Sequence, residues 1–277
     1  MHLRTYASLV DIIAEAQAHN SPFFQFFLTN HETGKYLKIT PQDIDDFNAA
    51  RQQASFSNLF IHSSYWINPS TGDKYVLKLS RRLLKRELKI AAALGVSYLI
   101  LHAGSASCYP ATIDDPTGKQ RALATLVETL DKVLLGNDKV TILLENSAVG
   151  GKTLGNTLDD FVGLREKLLF PERVAFCLDT AHAYAYGYDI KKFNCFLQEL
   201  DAKIGLKNIK LIHFNDLASK FGCMQDRHAI PGRGTIGKEA LLKFLYCKNL
   251  EHAYKIVEYP ACNAVEIKQS FIDITQW

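Results

Sequence analysis

Histidine and acidic side chains recur in this sequence directly after short runs of apolar residues. Each run has the length and composition of a buried strand, and each ends on a side chain that can bind a metal ion. Six residues occupy such positions: His62, His102, Glu145, Asp179, His213 and Glu258. Imidazole and carboxylate ligands together suit zinc or manganese better than calcium or an iron–sulfur cluster. Because the ligands exceed four, the pattern predicts more than one ion.

Three further residues extend this set to nine candidate ligands. His182 follows Asp179 by three residues, so the two side chains can serve different ions. Asp226 and His228 are alternate residues of a loop after His213, and alternate residues of an extended segment project the same way. Any single one of the nine could instead be a hydrogen-bonded core histidine, a helix cap or half of a salt bridge. Metal binding is favoured because all nine adjoin an apolar run.

The elements that must position these residues alternate between strands and helices. The strand-end residues are separated by enough chain for one helix and a return strand, so consecutive members belong to neighbouring parallel strands. In a (β/α)₈ barrel the carboxyl ends of the strands converge on one rim, where the chemistry takes place. The predicted fold class is therefore α/β, a (β/α)₈ TIM barrel, and residues 1–277 form a single domain.

The first strand of this barrel is the one that the pattern does not supply. Phe23-Gln25-Phe27 brings the assigned strands to seven, and an eighth would have to precede residue 7. Only Met1-His2-Leu3-Arg4-Thr5-Tyr6 is available there, so the first strand is expected to be a stub or truncated. Seven strands alone would leave an open edge with unpaired backbone groups.

Segments with helical spacing separate the strands. Thr40 is expected to cap a helix that has Pro41 at its first position. The clearest amphipathic run extends from Tyr75 to Leu94, and its many basic residues are interpreted as a solvated outer face in preference to a DNA contact. Other helices are predicted over 7–19, 119–135, 157–168, 189–203 and 237–247.

Composition restricts the class of protein but not its activity. Apolar residues make up 47% and charged residues 22% of the chain, as in folded globular proteins. The six cysteines form no C-x-x-C pair, so reduced thiols are expected. A net charge of +3 is compatible with a nucleic-acid partner and equally with a metabolic enzyme. With no long apolar run and no signal-peptide pattern, we expect a cytoplasmic, intracellular protein without a membrane partner.

Several motifs together resemble the endonuclease IV family of apurinic/apyrimidinic (AP) endonucleases over nearly the whole chain. The segment at 143–148 reads Leu-Leu-Glu-Asn-Ser-Ala and is followed by glycines at 150, 151 and 155. The segment at 177–189 reads CLDTAHAYAYGYD, and 211–216 reads LIHFND. The sequence Asp226-Arg227-His228 is followed at 231–237 by PGRGTIG. Because these blocks occur in the family's order, chance similarity is improbable.

The resemblance implies a barrel that holds three zinc ions, with manganese possible in part. His62 and His102 would bind the first ion, and Glu145 would bridge it to the second. The second ion would also take Asp179, His213 and Glu258. The third would take His182, Asp226 and His228.

The implied reaction is hydrolysis of the phosphodiester 5′ to an abasic site by a metal-bound hydroxide, which leaves a 3′-hydroxyl. Glu258 and Glu145 are the catalytic candidates. The implied partner is duplex DNA that contains abasic sites or blocked 3′ ends, with the protein acting as a monomer. Tyr65 matches the family position whose ring enters the DNA stack, although it could instead pack on a barrel loop. Arg227 and Arg233 could contact phosphate or form local salt bridges.

The chain also departs from the family, and other functions stay open. Of the family's Gly-x-His start only His2 is recognisable, and the segment His31-Glu32-Thr33-Gly34-Lys35 lacks an arginine where relatives carry a basic DNA-contacting loop. A divalent-metal sugar isomerase or epimerase of related barrel fold is one alternative, and it would need only one or two ions. A non-catalytic remnant that binds abasic DNA is another.

Overall fold

The computed structural model describes residues 1–3, 8–19, 21–29, 34–56, 58–136, 139–260 and 264–277. Eight parallel strands form one sheet, with each strand paired to the next along the chain. Their bounds are β1 His2–Leu3, β2 Phe24–Phe27, β3 Leu59–His62, β4 Tyr98–His102, β5 Thr141–Glu145, β6 Val174–Asp179, β7 Ile209–His213 and β10 Tyr254–Ile256. Two short strands, β8 Asp216–Leu217 and β9 His228–Ala229, form a separate antiparallel pair. The predicted TIM-barrel class is confirmed.

The first strand is present as a two-residue stub. In β1, His2 and Leu3 pair in parallel with Gln25 and Phe26 of β2. On its other side the backbone N–H of His2 donates to the carbonyl of Val257, 3.0 Å away, directly after β10. This bond joins the two edges of the sheet and brings the barrel close to closure. The expectation of a shortened first strand is thus correct, while residues 4–6 lie outside the described ranges.

Eight α-helices lie in the described part of the chain, and most connect successive strands on the outside of the barrel. Their bounds are α1 Leu9–Ala18, α2 Pro41–Gln53, α3 Lys74–Ala93, α4 Lys119–Leu134, α5 Thr180–Tyr186, α6 Phe193–Ile204, α7 Lys238–Leu245 and α8 Ala264–Thr275. As predicted, Thr40 caps α2 and Pro41 opens it; Asp43 completes the capping box. Among the described helices, none combines the length and the apolar composition needed to cross a membrane.

Two of the predicted helices need correction. Over 157–168 the chain forms two short 3₁₀ helices, Leu158–Phe161 and Arg165–Lys167, in place of one α-helix. Gly163 lies between them with φ +63°, a left-handed conformation that interrupts a right-handed helix. The helix predicted over 189–203 begins only at Phe193, and a separate helix, α5, follows β6 directly and ends before Gly187, whose φ is +124°.

Alternation along the strands separates the barrel lumen from the outer layer. Side chains that point into the lumen form a compact apolar cluster: Phe60, Ile100, Leu143, Ala175, Cys177, Leu211 and Ile256. Phe23, Tyr98 and Tyr254 pack against this cluster at the amino-terminal end of the barrel. Because successive strand residues face opposite sides, the residue two positions after each lumen residue also points inward, one layer nearer the carboxyl ends.

Candidate metal centre

Directly above the apolar lumen, at the carboxyl ends of the strands, lies a layer of polar side chains. Each of the eight barrel strands contributes one of them, either from the strand itself or from one or two residues past its end. The six strand-end residues of the sequence analysis occupy six of these positions, each two residues beyond a lumen residue. Gln25 of β2 and His2 of β1 occupy the other two. Gln25, Asp179 and His213 are fully buried, and Glu145 is nearly so. Period-two alternation therefore assembles a continuous polar layer at the mouth of the barrel.

The first cluster brings His62, His102 and Glu145 together. Their ligand atoms lie within 4.8 Å of one another. His62 Nε2 lies 3.2 Å and His102 Nε2 lies 3.5 Å from the same oxygen, Glu145 Oε2. The other ring nitrogen of His62, Nδ1, lies 2.9 Å from the carbonyl of Ser63 and donates to it. That bond leaves the lone pair of His62 Nε2 directed into the cluster.

The second cluster contains Glu145, Asp179, His213 and Glu258, again with ligand atoms within 4.8 Å of one another. His213 Nδ1 lies 2.7 Å from Glu145 Oε1 and 3.3 Å from Glu258 Oε2. Glu145 belongs to both clusters through its two oxygens. The carboxylate that the sequence analysis assigned as a bridge therefore lies between the two groups of ligands.

The third cluster is assembled by β6, α5 and the β8–β9 pair. Asp179 caps α5 by accepting the backbone N–H of His182 at 2.7 Å, which brings the imidazole of His182 to the mouth. His182 Nε2 and His228 Nε2 lie 3.2 Å and 3.1 Å from the two oxygens of Asp226. Asp179 Oδ2 lies 3.6 Å from His228 Nε2, so Asp179 adjoins the second and third clusters as Glu145 adjoins the first and second.

Amide side chains that sequence reasoning missed hold the candidate ligands in place. Gln25 Oε1 accepts from His213 Nε2 at 2.8 Å, and Gln25 Nε2 donates to Glu258 Oε1 at 2.9 Å. Asn215 Nδ2 donates to Asp179 Oδ2 at 2.6 Å, while the backbone N–H of Glu258 donates to Asn215 Oδ1 at 2.8 Å. Gln25 carried a local signal, a polar residue between aromatic residues of a buried strand. Asn215 lies within the motif at 211–216, but that motif assigned it no role.

His2 and Asn146 also belong to the site. His2 Nδ1 lies 3.2 Å from Glu258 Oε1, so the stub that nearly closes the barrel also contacts a candidate catalytic acid. The carbonyl of Asn146 accepts from His182 Nδ1 at 2.9 Å, and its side-chain amide exchanges two hydrogen bonds with the backbone of Asp179. Each of these bonds fixes which atom of a candidate ligand faces the cluster.

Buried acids and imidazoles shift one another's ionisation strongly. Burial opposes protonation of His182 and His228, but Asp179 and Asp226 outweigh it, and the pKa of His228 rises to about 9. Burial likewise opposes ionisation of Glu145, yet His213 and His102 hold the pKa of Glu145 well below its usual range. Protons on the imidazoles thus balance the buried carboxylates. Since a metal ion binds neutral imidazole, cations at the same positions would replace those protons.

Tyr65 lies at the mouth, and Arg227 stands between the candidate ligands Asp226 and His228 in the chain. Tyr65 has 57% of its surface exposed, and its ring centroid lies 5.4 Å from that of His62 and 5.7 Å from that of His102. A cavity of about 260 Å³ opens beside Tyr65 and His102. Its lining combines apolar surface with the hydroxyl groups of serine and threonine residues and the amide of Asn68. Arg227 and Arg233 are exposed on the loops that follow β8 and β9.

Asp216 organises the loop that carries Arg233. The carboxylate is fully buried and accepts the backbone N–H groups of Gly232 and Gly234 at 3.0 Å each and of Ile236 at 2.9 Å. A Cβ at position 234 would lie 2.4 Å from Asp216 Oδ1, so only glycine fits there. The motif at 231–237 is therefore a tight turn built around an internal carboxylate.

Comparison with known proteins gives consistent results. Residues 13–273 match a protein-family model described as xylose isomerase-like TIM barrel. The probable endonuclease 4 of Thermotoga maritima is 34% identical over 78% of this chain and 75% of its own length. That of Finegoldia magna is 28% identical over 99% of this chain and 98% of its own.

Solved structures extend the comparison to three dimensions. The crystal structure of endonuclease IV from Thermus thermophilus superimposes with a TM-score of 0.85 at 27% identity, covering 100% of this chain and 97% of that one. A D-tagatose 3-epimerase-like protein reaches a TM-score of 0.71 at 16% identity over 99% and 95% of the two chains, a likeness of fold alone. With the three clusters at the mouth and these relatives, the chain belongs to the endonuclease IV family of xylose isomerase-like TIM barrels.

Proposed function

We propose that this protein is a zinc-dependent AP endonuclease of base excision repair that hydrolyses the phosphodiester 5′ to an abasic site and leaves a 3′-hydroxyl. The same site would remove blocking groups from 3′ ends. The protein would act as a monomer on duplex DNA inside the cell. The names of its relatives support a nuclease, and the mouth clusters support hydrolysis assisted by metal ions.

The observation that carries this proposal is the third cluster. His182, Asp226 and His228 converge within 3.2 Å at each contact and share Asp179 with the second cluster. A sugar isomerase, which needs one or two ions, would leave these three residues without a common purpose. Phosphodiester hydrolysis has a use for them, because several cations can stabilise the attacking and leaving oxygens of one phosphate.

The donor set fits zinc. The nine candidate ligands are five imidazoles and four carboxylates, the ligands that zinc takes in hydrolytic sites. The nearby thiol of Cys177 does not compete as a thiolate, because burial raises its pKa to about 12. Within the described ranges, His182 Nε2 is buried without a well-aligned hydrogen bond, which leaves it available to a metal ion. Manganese could occupy part of the same set.

The protein's own groups would position water and phosphate. Bound ions would supply a water of lowered pKa and positive charge opposite the phosphate. Glu258 would orient or deprotonate the attacking water, since Gln25 and Asn215 keep its two oxygens oriented. Its carboxylate stays ionised, because its pKa lies well below the usual range. Burial opposes that lowering, and the positive charge of His213 and the hydrogen bond from His2 outweigh it. Glu145, which belongs to both the first and the second cluster, would keep these two groups of ligands at a fixed distance from each other.

The rim would recognise the lesion. Tyr65 would enter the base stack at the abasic position, where no base has to be unstacked, and Arg227 and Arg233 would contact backbone phosphates. The cavity beside Tyr65 would receive the extruded sugar, whose hydroxyls could bond to the serine and threonine hydroxyls and the Asn68 amide of its mixed lining. Of the segment His31-Glu32-Thr33-Gly34-Lys35, which stands where relatives carry a basic loop, residues 31–33 lie outside the described ranges.

The deciding experiment is incision of a duplex that carries one abasic analogue, with an undamaged duplex as substrate control. We expect lesion-dependent cutting by the parent, loss of at least about a hundredfold in kcat for Glu258→Gln, and unchanged activity for the exposed-surface variant Glu239→Gln. Equal activity of Glu258→Gln and the parent would overturn the mechanism. Metal analysis of the same protein separates the alternatives: about three zinc ions per chain support the nuclease, and one or two support an isomerase.

A further inference from the structure

Helix α3 exposes a surface of one charge sign. Its exposed residues include six cations, Lys74, Lys78, Arg82, Lys85, Arg86 and Lys89, which we call the basic face of α3. The acid within the helix, Glu87, is fully buried on the opposite side. Tyr75, with 77% of its surface exposed, lies on the same face near the start of the helix.

The sequence alone favoured a merely solvated face for this helix, but the charge pattern in the structure differs from that of other helices of the barrel, where charges of both signs alternate. Lys132 pairs with Glu128 within α4, and Lys203 pairs with Glu199 within α6. On α3 the spacing of four residues instead places like charges together, at 74 and 78, 78 and 82, and 85 and 89. Such pairs destabilise a helix. Their retention on one continuous face indicates a use for the concentrated charge.

Few partners within the chain neutralise this face. Arg86 lies over the ring of Tyr36, 4.4 Å from its centroid, and the half-buried Arg81 beside the face binds Glu128. The other five cations of the basic face form no ion pair with any residue in the described ranges. Their side chains are therefore free to meet an external polyanion.

The helix stands beside the mouth of the barrel. Glu87 accepts the backbone N–H of Ser64, at 3.2 Å, just after the end of β3, so residue 87 is level with the strand ends. The part of the helix from Lys74 to residue 87 is about 20 Å long at 1.5 Å per residue, and within it Ser80 accepts the backbone N–H of Asn68 in the loop after β3. The outward side of this part carries Tyr75, Lys78 and Arg82. DNA that extends from the mouth past β3 would therefore contact the basic face of α3.

We propose that the basic face of α3 is a second, sequence-independent contact for duplex DNA, separate from the mouth. Charge complementarity identifies the partner: a regular row of lysine and arginine matches the phosphate backbone, whose neutralisation releases counterions. This inference rests on the proposed function for the choice of DNA as polyanion. Its role would be to hold undamaged duplex while the mouth samples for a lesion, which raises affinity for long DNA without changing the chemistry.

The test compares two triple variants of the metal-loaded protein that remove the same charge. Lys78→Gln/Arg82→Gln/Lys85→Gln alters the basic face, and Lys192→Gln/Lys243→Gln/Lys248→Gln alters exposed lysines elsewhere. Binding to an undamaged duplex of about thirty base pairs is measured across salt concentrations. We expect the first variant to bind at least about tenfold more weakly and to lower the slope of log K against log salt by about 2.7, with the second close to the parent.

Incision of an abasic duplex of about ten base pairs, which only the mouth can occupy, provides the second readout, and the first variant should cut it like the parent. Equal salt slopes for parent and first variant, or equal losses in the two variants, would overturn the second contact while leaving the nuclease intact. Loss of binding to phosphatidylserine vesicles with unchanged DNA binding would assign the face to a membrane surface and overturn it as well. Absence of incision by the parent would reject the proposed nuclease function without deciding the second contact, because the salt dependence of DNA binding is measured without any incision.

Discussion

Gln25 of β2 contacts His213 of β7 across the mouth of the barrel: the side-chain oxygen of Gln25 accepts a hydrogen bond from His213 Nε2 at 2.8 Å. An amide oxygen can only accept, so this bond places the proton of the imidazole on Nε2. His213 Nδ1 is then directed at Glu145, 2.7 Å away. A neutral residue on a distant strand thus determines which atom of His213 is available to a metal ion.

Replacing Gln25 by leucine should weaken metal binding while the barrel stays folded. Loss of the bond frees the ring of His213 and removes a donor to Glu258, and residues in such supporting positions typically change metal affinity by about 10- to 100-fold. Competition with a zinc chelator measures the change. Gln53→Leu, at the exposed end of α2, is the matched control. Equal zinc affinity of parent and Gln25→Leu would show that the bond does not position His213.

Asp226→Asn should reduce zinc content by about one ion per chain and lower kcat by about a hundredfold or more. The carboxylate lies between His182 and His228, and an amide offers a weaker, neutral ligand in its place. Metal analysis after dialysis, with steady-state incision, checks both effects. Asp45→Asn, on the exposed side of α2, removes the same charge away from the mouth. Retention of all the zinc by Asp226→Asn would contradict the third site.

Glu87 should make stability depend on pH. Burial raises its pKa from 4.5 to about 7, despite hydrogen bonds from Tyr36 and Ser64. Between these two values the folded chain keeps a proton that the unfolded chain has lost, so stability falls as pH rises from about 4.5 to about 7 and is level above. The loss is about 3 kcal/mol.

Glu87→Gln removes this dependence, because glutamine keeps an acceptor oxygen and does not ionise. Urea unfolding of the metal-loaded protein should be measured at several pH values. From pH 4.5 to pH 8 the free energy of unfolding of the variant should rise by about 3 kcal/mol relative to that of the parent. The surface variant Glu166→Gln controls for the loss of one acid. A constant difference between Glu87→Gln and the parent at every pH would be inconsistent with this buried acid.

Asp216→Asn should destabilise the protein by about 2–4 kcal/mol and loosen the turn at 231–237. The amide keeps one oxygen, so backbone N–H groups of Gly232, Gly234 or Ile236 lose their acceptor while buried or half-buried. Asp201→Asn is the control, and it should destabilise the protein less, because Asp201 accepts the backbone N–H of Leu206 alone. Hydrogen exchange at Gly232 and Gly234 reports the local effect. Unchanged protection of these two amides would contradict the inference that the carboxylate of Asp216 holds the turn at 231–237.

The fold class and the strand-end positions of the candidate site follow from the amino-acid sequence. Apolar runs that end on His62, His102, Glu145, Asp179, His213 or Glu258 specify inward-pointing positions, because the side-chain period of a strand is two and parallel strands end at one rim. His182 was predictable for the same local reason, since it lies in the first turn of the helix that Asp179 caps.

The tertiary structure alone decided how those side chains are connected. These connections are contacts between residues far apart in the sequence. His2 joins the two edges of the sheet and contacts Glu258, Gln25 orients His213, and Asn215 holds Asp179. No local pattern encodes them, because a hydrogen-bond partner across the barrel depends on strand register and closure. Local spacing places ligands at a rim, whereas only the closed barrel determines which of their atoms face one another.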